Sequence, residues 1–296
     1  MRLALGPVGY HWNNDQLLAF YNDIAEAPVD IVYLGETVCS KRRSLGWMQW
    51  LEIGRMLKDR GKEIVLSTLT VVEAESELSQ IERVCSNGEF LVEANDAAAV
   101  HMLMENGLPF VAGASLNVYN ERTLAQLRDL GLFRWIPPLE ISGAALATMI
   151  RMLGSDHLET ELFTLGRMPL AYSARCFTAR AHGYTRDHCH FICGRYPSGM
   201  AVETQEGQPF LTLNGLQTQS ARIVNLLPYW REAAHAGVGI LRISPDASNT
   251  PALLHRARVA LDRGNIPEVA DLIGAPECDG YWLEQAGIIT SSAPCV

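Results

Sequence analysis

The sequence of 296 residues lacks the short patterns that assign a function directly. It has no Gly-x-Gly-x-x-Gly turn, no Walker loop, no His-Glu-x-x-His pair and no Gly-x-Ser-x-Gly elbow. These absences argue against a dinucleotide-binding oxidoreductase, a P-loop nucleotidase, a zincin and a serine hydrolase. Repeats of fixed period and low-complexity tracts are missing as well, which argues against a repeat array or a disordered linker protein.

Long apolar runs and an excess of positive charge are also missing. No run approaches the roughly 18 apolar residues that a membrane span needs, so no transmembrane segment is expected. Residues 1–8 hold one basic residue and an apolar stretch too short for a secretory leader, so we expect a cytoplasmic protein. The net charge is −9, from 24 basic and 33 acidic residues. Nucleic acid is therefore not an expected partner.

The fold class follows from how apolar residues are spaced. Hydrophobic residues make up 48% of the chain, and short apolar runs alternate with amphipathic helical patterns. Such alternation predicts a parallel sheet covered by helices, and eight strands favour a closed (β/α)8 TIM-barrel-like α/β fold. Strands are predicted at residues 3–6, 30–34, 63–67, 90–93, 110–112, 133–136, 161–165 and 238–243. Helices are predicted at residues 15–25, 47–59, 72–85, 97–105, 121–129 and 143–153.

The alternation breaks once, between the seventh and eighth predicted strands. Residues 166–237 contain three cysteines, an Arg/His-rich run at 175–195 and an apolar segment at 210–213. We interpret residues 1–296 as one α/β barrel domain that carries residues 166–237 as an insertion after the seventh strand. A short C-terminal extension follows the last barrel helix.

The sequence has seven cysteines, and we expect the protein to lie in a reducing compartment. An odd number of cysteines in such a compartment argues against a disulfide framework. Cys39 follows the second predicted strand, while Cys176, Cys189 and Cys193 follow the seventh. Loops that leave barrel strands share one face, so these four thiols can converge there. Four thiolates suit either zinc or an iron–sulfur cluster, and the isolated positions of Cys39 and Cys176 favour the cluster.

The other cysteines and the residues around the candidate ligands have simpler interpretations. Cys85 and Cys278 are predicted to pack in the core, and Cys295, near the terminus, is expected to have no role. His188 and His190 are either extra ligands or solvated loop residues. Glu36 and Glu93 lie near strand ends and are candidate polar site residues.

Basic residues are concentrated near the candidate ligands. They would offset the negative charge of a thiolate-ligated cluster or hold a small carboxylate substrate, and a solvated loop surface is the alternative. These residues are Lys41, Arg42, Arg43, Arg175, Arg180, Arg186 and Arg195.

Several segments resemble the collagenase-like peptidase family. Residues 161–166 read Glu-Leu-Phe-Thr-Leu-Gly and are followed by Cys176, and residues 33–36, 88–93 and 214–215 share the family's pattern. Residues 35–43, 170–180 and 279–282 resemble one branch of that family, the UbiV branch. That branch acts in oxygen-independent ubiquinone biosynthesis.

The resemblance implies an iron–sulfur subunit with a 4Fe–4S cluster. It implies a heterodimer with the sister protein UbiU, with the lipid carrier UbiT as an accessory. The pair would hydroxylate the aromatic ring of a prenylated quinone precursor without dioxygen. No catalytic residue is assigned, and two alternatives remain, a peptidase and a zinc-stabilised structural subunit.

One departure from the family's signature bears on the ligands. The signature places its first cysteine three residues after the glycine, where this sequence has Pro169, which has no metal-binding side-chain atom. The resemblance then implies that Cys39 replaces the missing thiolate. The implied ligands are Cys39, Cys176, Cys189 and Cys193.

Overall fold

The computed structural model describes residues 1–154, 158–247 and 249–291, which alternate between strands and helices. In this part of the chain the strands are β1 (Arg2–Leu5), β2 (Ile31–Leu34), β3 (Glu63–Ser67), β4 (Leu91–Ala94), β5 (Phe110–Ala112), β6 (Leu132–Trp135), β7 (Glu159–Tyr172), β8 (Met200–Glu203), β9 (Pro209–Asn214), β10 (Gln217–Asn225), β11 (Ile240–Ile243) and β12 (Glu277–Cys278). The helices are α1 (Asn14–Glu26), α2 (Trp47–Asp59), α3 (Glu75–Cys85), α4 (Ala97–Glu105), α5 (Glu121–Asp129), α6 (Gly143–Leu153), α7 (Phe177–Ala181), α8 (Trp230–Ala236) and α9 (Thr250–Asp262).

Eight parallel strands close into a barrel. Strands β1 to β7 pair in sequence order, and β11 pairs in parallel with both β7 and β1. The register of the closing pair sets Leu3 opposite Leu241. The predicted (β/α)8 architecture is confirmed, and seven of the eight predicted strands begin and end within two residues of the observed ones.

Two helices begin directly after side-chain caps that the sequence contains. Asn120 and Ser142, which lie at predicted helix starts, accept hydrogen bonds from the backbone of Thr123 and Ala145. Each cap satisfies one of the backbone donors that a first helical turn leaves without a partner. Helix α3 begins at Glu75, three residues later than the predicted start, because Glu77 turns back to accept from the backbone of Glu73.

Strand β7 is much longer than the prediction for the seventh strand. It spans 14 residues, leaves the barrel near Gly166 and continues antiparallel to β10. The sheet then extends outward in the order β7, β10, β9, β8. Gly166 has φ +142°, and a Cβ there would lie 2.4 Å from Cβ of Ser244, so only glycine fits this exit. The sequence analysis noted only an apolar segment at residues 210–213 in this part of the insertion, which contains the regular antiparallel strands β8, β9 and β10.

The core fills the barrel and the layer between its strands and helices. The C-terminal extension packs on this layer, because Trp282 is buried and lies against Gly143 at the start of α6. Strand β12 pairs with β10 and buries Cys278. Within the described residues, no helix is both long and apolar enough to cross a bilayer.

Candidate functional site

The four candidate thiols lie in loops and short helices at the carboxyl face of the barrel. Cys39 lies in the loop between β2 and α2, and Cys176 caps α7, where its Sγ accepts from the backbone of Ala179 at 3.4 Å. Cys193 lies in a short 3-10 helix, and Cys189 lies in the turn before it. All four are free and half-buried. The predicted location of each side chain on this face is therefore consistent with the fold.

Charged residues of the insertion contact the loop that bears Cys39. Lys41 donates to the backbone oxygen of Arg186 at 3.3 Å and pairs with Asp187. Arg186 pairs in turn with Glu77 of α3 at 3.3 Å and with Glu73. Part of the predicted basic cluster therefore fixes the segment between Cys176 and Cys189 on two barrel loops.

Two further contacts seat the insertion on the loop between β1 and α1. The indole nitrogen of Trp12 donates to the backbone oxygen of Pro197 at 2.8 Å. The rings of His11 and Phe191 lie 5.5 Å apart, next to the 3-10 helix that holds Cys193. Three consecutive βα loops of the barrel therefore support the cysteine-bearing segment.

Arg42 is the cation most deeply placed among the thiols. Its side chain is 1% exposed, and its guanidinium donates to the backbone oxygen of Gly9 at 2.7 Å and to Oδ1 of Asn214 at 2.9 Å. Burial by itself lowers the pKa of Arg42. The charges of Glu36 and of Cys193 and Cys39, when ionised, outweigh burial and raise that pKa above its usual value. Arg42 therefore stays charged beside both thiols.

Two of the four thiols, Cys39 and Cys176, are not activated. Burial raises the pKa of Cys39, although Arg42 and Arg186 act in the opposite sense. Burial also raises the pKa of Cys176, and the neighbouring Cys193 and Cys189 raise it further. A nucleophilic cysteine needs a lowered pKa, because the thiolate is the reactive form. Cys39 and Cys176 lack that property, which suits ligands that lose their protons when a metal binds.

Glu36, a predicted polar site residue, shapes the loop around Cys39. Its Oε1 accepts from the backbone nitrogens of Val38 and Cys39 at 2.9 and 3.0 Å. Its carboxylate lies 3.8 Å from Nη1 of Arg42. Burial raises the pKa of Glu36, and Arg42 and the two backbone donors act against that rise. The contacts assign it a positioning role for the Cys39 loop.

The donor set fits an anionic thiolate-bound group. Arg42 and Arg186 each keep a buried Nε that has no hydrogen-bond partner among the described residues. Both guanidinium groups lie within electrostatic reach of Cys39, so a negatively charged group among the thiols would give these donors an acceptor.

The described thiols do not form a preformed site for a single ion. In the described part of the chain, no three His, Cys, Asp or Glu side chains converge around one point as a single ion requires. That finding includes Cys39, Cys176, Cys189 and Cys193, so metal analysis decides between zinc and a cluster.

The remaining predicted residues lie elsewhere or make other contacts. Cys85 and Cys278 are buried, as predicted, and burial raises their pKa values to about 12 and about 11. Cys295 lies outside the described residues. The ring of His188 contacts Thr185, and His190 packs on Tyr184, both at exposed positions. Arg175, Arg180 and Arg195 of the predicted basic cluster lie at exposed positions.

A buried polar network inside the barrel was missed by the sequence prediction. Tyr33 donates to Glu161 at 2.6 Å, and Arg242 donates to the same carboxylate at 2.6 Å and to Glu93 at 2.9 Å. Arg134, with no exposed surface, donates to Tyr33 at 3.1 Å. Of these residues only Glu93 was a predicted site residue.

A signal for this network was present in the sequence. Arg134, Glu161 and Arg242 are charged residues inside strand patterns that are otherwise apolar. A charge at a position that faces a barrel interior must be paired, so several such residues in separate strands predict a buried ion-pair cluster.

A comparison with family models finds a match over most of the chain. Residues 13–256 match the model described as Peptidase family U32. The matched segment contains Cys39, Cys176, Cys189 and Cys193 and all eight strands of the barrel except β1.

Solved structures of low sequence identity resemble the chain. The U32 peptidase Mk0906 is 12% identical, with 83% of this chain and 93% of that chain covered and a TM-score of 0.45. Dihydropteroate synthase from Thermus thermophilus is 13% identical, with 88% and 91% covered and a TM-score of 0.41. Neither likeness bears on what this chain binds or catalyses.

Proposed function

This chain belongs to peptidase family U32, and from that premise we propose that it is an iron–sulfur subunit of an oxygen-independent hydroxylase. Its substrate class would be the aromatic ring of prenylated ubiquinone precursors, and its partner would be the sister protein UbiU. The observation that carries the proposal is four half-buried thiols on one barrel face, beside Arg42 and Arg186, whose buried Nε atoms have no hydrogen-bond partner among the described residues. The resemblance of residues 35–43, 170–180 and 279–282 to the UbiV branch supplies the substrate class.

The residues that would hold the cluster are Cys39, Cys176, Cys189 and Cys193. A 4Fe–4S cluster supplies one-electron transfer when bound. Arg42 balances thiolate charge from a position that water does not reach, because its side chain is 1% exposed. Glu36 fixes the backbone of the Cys39 loop, and Arg186 holds the opposite ligand segment against α3.

A peptidase is the alternative that the family's name suggests, and no observation favours it. The pKa values of Cys39 and Cys176 are raised by burial, which opposes a cysteine nucleophile. A zinc-stabilised structural subunit would use the same four thiols, so metal content separates it from the cluster.

Metal analysis after anaerobic purification tests the proposal. We expect about four iron atoms and four acid-labile sulfides per chain, with a broad visible absorbance that dithionite bleaches. One zinc per chain without sulfide would replace the proposal with the structural alternative. Colourless, metal-free protein that cleaves a peptide library would replace it with the peptidase.

The hydroxylase role has its own test. The chain and UbiU, co-expressed, should form a one-to-one complex on gel filtration. That complex should hydroxylate a prenylated phenol without dioxygen, and the accessory carrier UbiT should raise the yield. Full activity of this chain alone would contradict the proposed partnership.

A further inference from the structure

A cavity opens at the carboxyl face of the barrel beside the thiol site. Its volume is about 430 Å³, within the range of small-molecule sites. Arg242 and Glu93 line it from barrel strands, and Arg167 lines it from the part of β7 beyond the barrel. Apolar side chains complete the lining, among them Ile136, Leu139 and Phe163. The cavity therefore combines two guanidinium groups with an apolar wall.

Among the described residues, two of the three guanidinium nitrogens of Arg242 donate to carboxylates, and the third does not. Its Nε donates to Glu161 at 2.6 Å and its Nη1 donates to Glu93 at 2.9 Å, and its guanidinium lies 3.9 Å from the centre of the Tyr33 ring. Nη2 is buried and has no partner in the described part of the chain. A buried charged donor without an acceptor is costly, so such a group calls for a ligand that accepts from it.

Arg167 is the second cation of the cavity. Its Nη1 donates to the backbone oxygens of Ser220 and Ala221, and no ion pair with a carboxylate occupies it among the described residues. Among the described residues its hydrogen-bond partners are thus backbone dipoles. A guanidinium in this state still favours an anion, because fixed dipoles balance less charge than a carboxylate does.

The carboxylates that line the cavity do not fill this role. Both oxygens of Glu93 are engaged, Oε1 by Arg242 and Oε2 by Ser67 at 2.6 Å and Asn95 at 3.3 Å. Glu140 lies at an exposed position of the rim, where it interacts with Tyr119. Neither carboxylate of the lining therefore accepts from Nη2 of Arg242 among the described residues.

A chain of hydrogen bonds joins the cavity to the thiol site. Arg42 donates to Asn214, Asn214 donates to Gln217 at 3.0 Å, and Gln217 donates to the hydroxyl of Tyr172 at 2.7 Å. Gln217 and Tyr172 line the cavity. Along this chain, Asn214 and Gln217 lie between a molecule in the cavity and the buried cation among the cysteines.

We propose that this cavity binds a small organic oxyanion, with a carboxylate or phosphate held between Arg242 and Arg167 and an apolar body against Ile136 and Phe163. The site goes beyond the proposed function, because its binding chemistry requires neither iron nor electron transfer. A bidentate or bridging oxyanion satisfies Nη2 of Arg242 and offsets the charge of Arg167 together.

Calorimetric titration of the purified chain at low ionic strength tests this site with three probes. Benzoate carries a ring and a charge, benzamide carries the ring alone, and inorganic phosphate carries the charge alone. We expect saturable binding of benzoate or phosphate, with benzamide at least about tenfold weaker than benzoate. Tighter benzoate identifies a carboxylate site with an apolar wall, and tighter phosphate identifies a phosphate site.

Arg167→Gln is the informative variant, because Arg242→Gln would leave Glu93 and Glu161 buried without their partner. The expected loss of anion affinity is about tenfold or more, and added salt should weaken binding to the unchanged protein. Arg83→Gln, on the exposed face of α3, is the matched control and should bind as the unchanged chain does. Equal affinity of Arg167→Gln, equal binding of benzamide and benzoate, or no saturable anion binding would overturn the proposal.

The same titration on Cys39→Ala separates this site from the thiol site. We expect this variant to bind the anion with unchanged affinity whether or not it holds metal. Persistence of anion binding in metal-free protein would leave the cavity assignment intact even if the hydroxylase assignment failed. Loss of anion binding in Cys39→Ala would show that the cavity depends on the thiol site, and would contradict an independent anion site.

Discussion

Nζ of Lys41 donates a hydrogen bond to the backbone oxygen of Arg186 at 3.3 Å, across 145 positions of sequence. Lys41 follows Cys39 by two residues, and Arg186 lies between Cys176 and Cys189. The contact therefore joins the barrel loop that bears one thiol to the insertion that bears the other three.

Alanine at Cys39, Cys176, Cys189 or Cys193 should remove most of the iron and sulfide bound to the chain. Each thiolate both binds the metal and orders its loop, so one lost ligand weakens the whole site. Iron and sulfide per chain, measured after anaerobic purification, check this expectation. Cys85→Ala is the matched control and should keep its full content. A full content in Cys39→Ala, together with a loss in Cys278→Ala, would show that the ligand set is wrong.

Arg42→Gln should lower the reduction potential of the bound cluster. Reduction adds negative charge, and a buried cation close to the thiolates stabilises the reduced state. Arg43→Gln removes the same charge from an exposed position, where water and salt screen it, and should change the potential much less. A dye-coupled redox titration compares the two variants. Equal shifts in the two variants would contradict an effect of the burial of Arg42 on the reduction potential. Arg42→Lys keeps a positive charge and should therefore have a potential between those of Arg42→Gln and the unchanged protein.

Arg134→Met should destabilise the barrel by about 3–5 kcal/mol, because it removes a fully buried charge beside Glu161, which has no exposed surface, and breaks two ion pairs with half-buried carboxylates. Arg134 has no exposed side-chain surface and donates to Glu63 and Glu159 at 2.6 Å. Arg256→Met breaks an exposed pair with Asp271 and should cost about 0–1 kcal/mol. Urea denaturation followed by tryptophan fluorescence measures both. Similar losses in the two variants would contradict a buried ion-pair network.

Gly35→Ala should cost more than about 2 kcal/mol and should also lower metal content. Gly35 begins the Cys39 loop at φ +123°, and a Cβ there would lie 2.7 Å from the backbone oxygen of Ser67. Gly61 also has a positive φ, +79°, but a Cβ there would meet nothing within 4 Å. Gly61→Ala is therefore expected to cost only the conformational strain, about 1 kcal/mol. Thermal unfolding and iron content together distinguish the two. Gly35→Ala with normal stability would contradict this close approach.

Stability should fall at high pH more steeply in the unchanged protein than in Cys85→Ala. Burial raises the pKa of the Cys85 thiol from 9.0 to about 12. Below pH 9 the thiol is neutral in both states, whereas above it the unfolded chain ionises first and unfolding becomes easier. The difference in slope should reach about 1 kcal/mol per pH unit near pH 10, since release of one proton on unfolding gives a slope of about 1.4 kcal/mol per pH unit. Parallel pH profiles for the two proteins would show that this thiol ionises equally in both states.

Local sequence patterns predicted the barrel closely, because each of its elements depends on short-range chemistry. Apolar runs of four to six residues between turn residues placed the strands, and Asn120 and Ser142 placed two helix starts through their own side-chain caps. The same reasoning put Cys39 on the carboxyl face with the insertion, because every loop after a barrel strand emerges there.

Local sequence patterns did not predict the strands of the insertion. Strand β7 continues past Gly166 to Tyr172 because β10 pairs with it about fifty residues later along the chain. That pairing depends on a register between distant segments, and residues 166–172 alone, with Pro169 among them, do not indicate a strand.

The sequence by itself determined an eight-stranded barrel, one insertion and the face on which its cysteines lie. Only the tertiary structure placed Arg42 among those thiols and set Arg242 between Glu93 and Glu161. The physical reason is distance along the chain. Periodicity and capping act within about one helical turn or one strand, whereas a buried charge is stabilised by partners that closure of the barrel brings from more than eighty residues away.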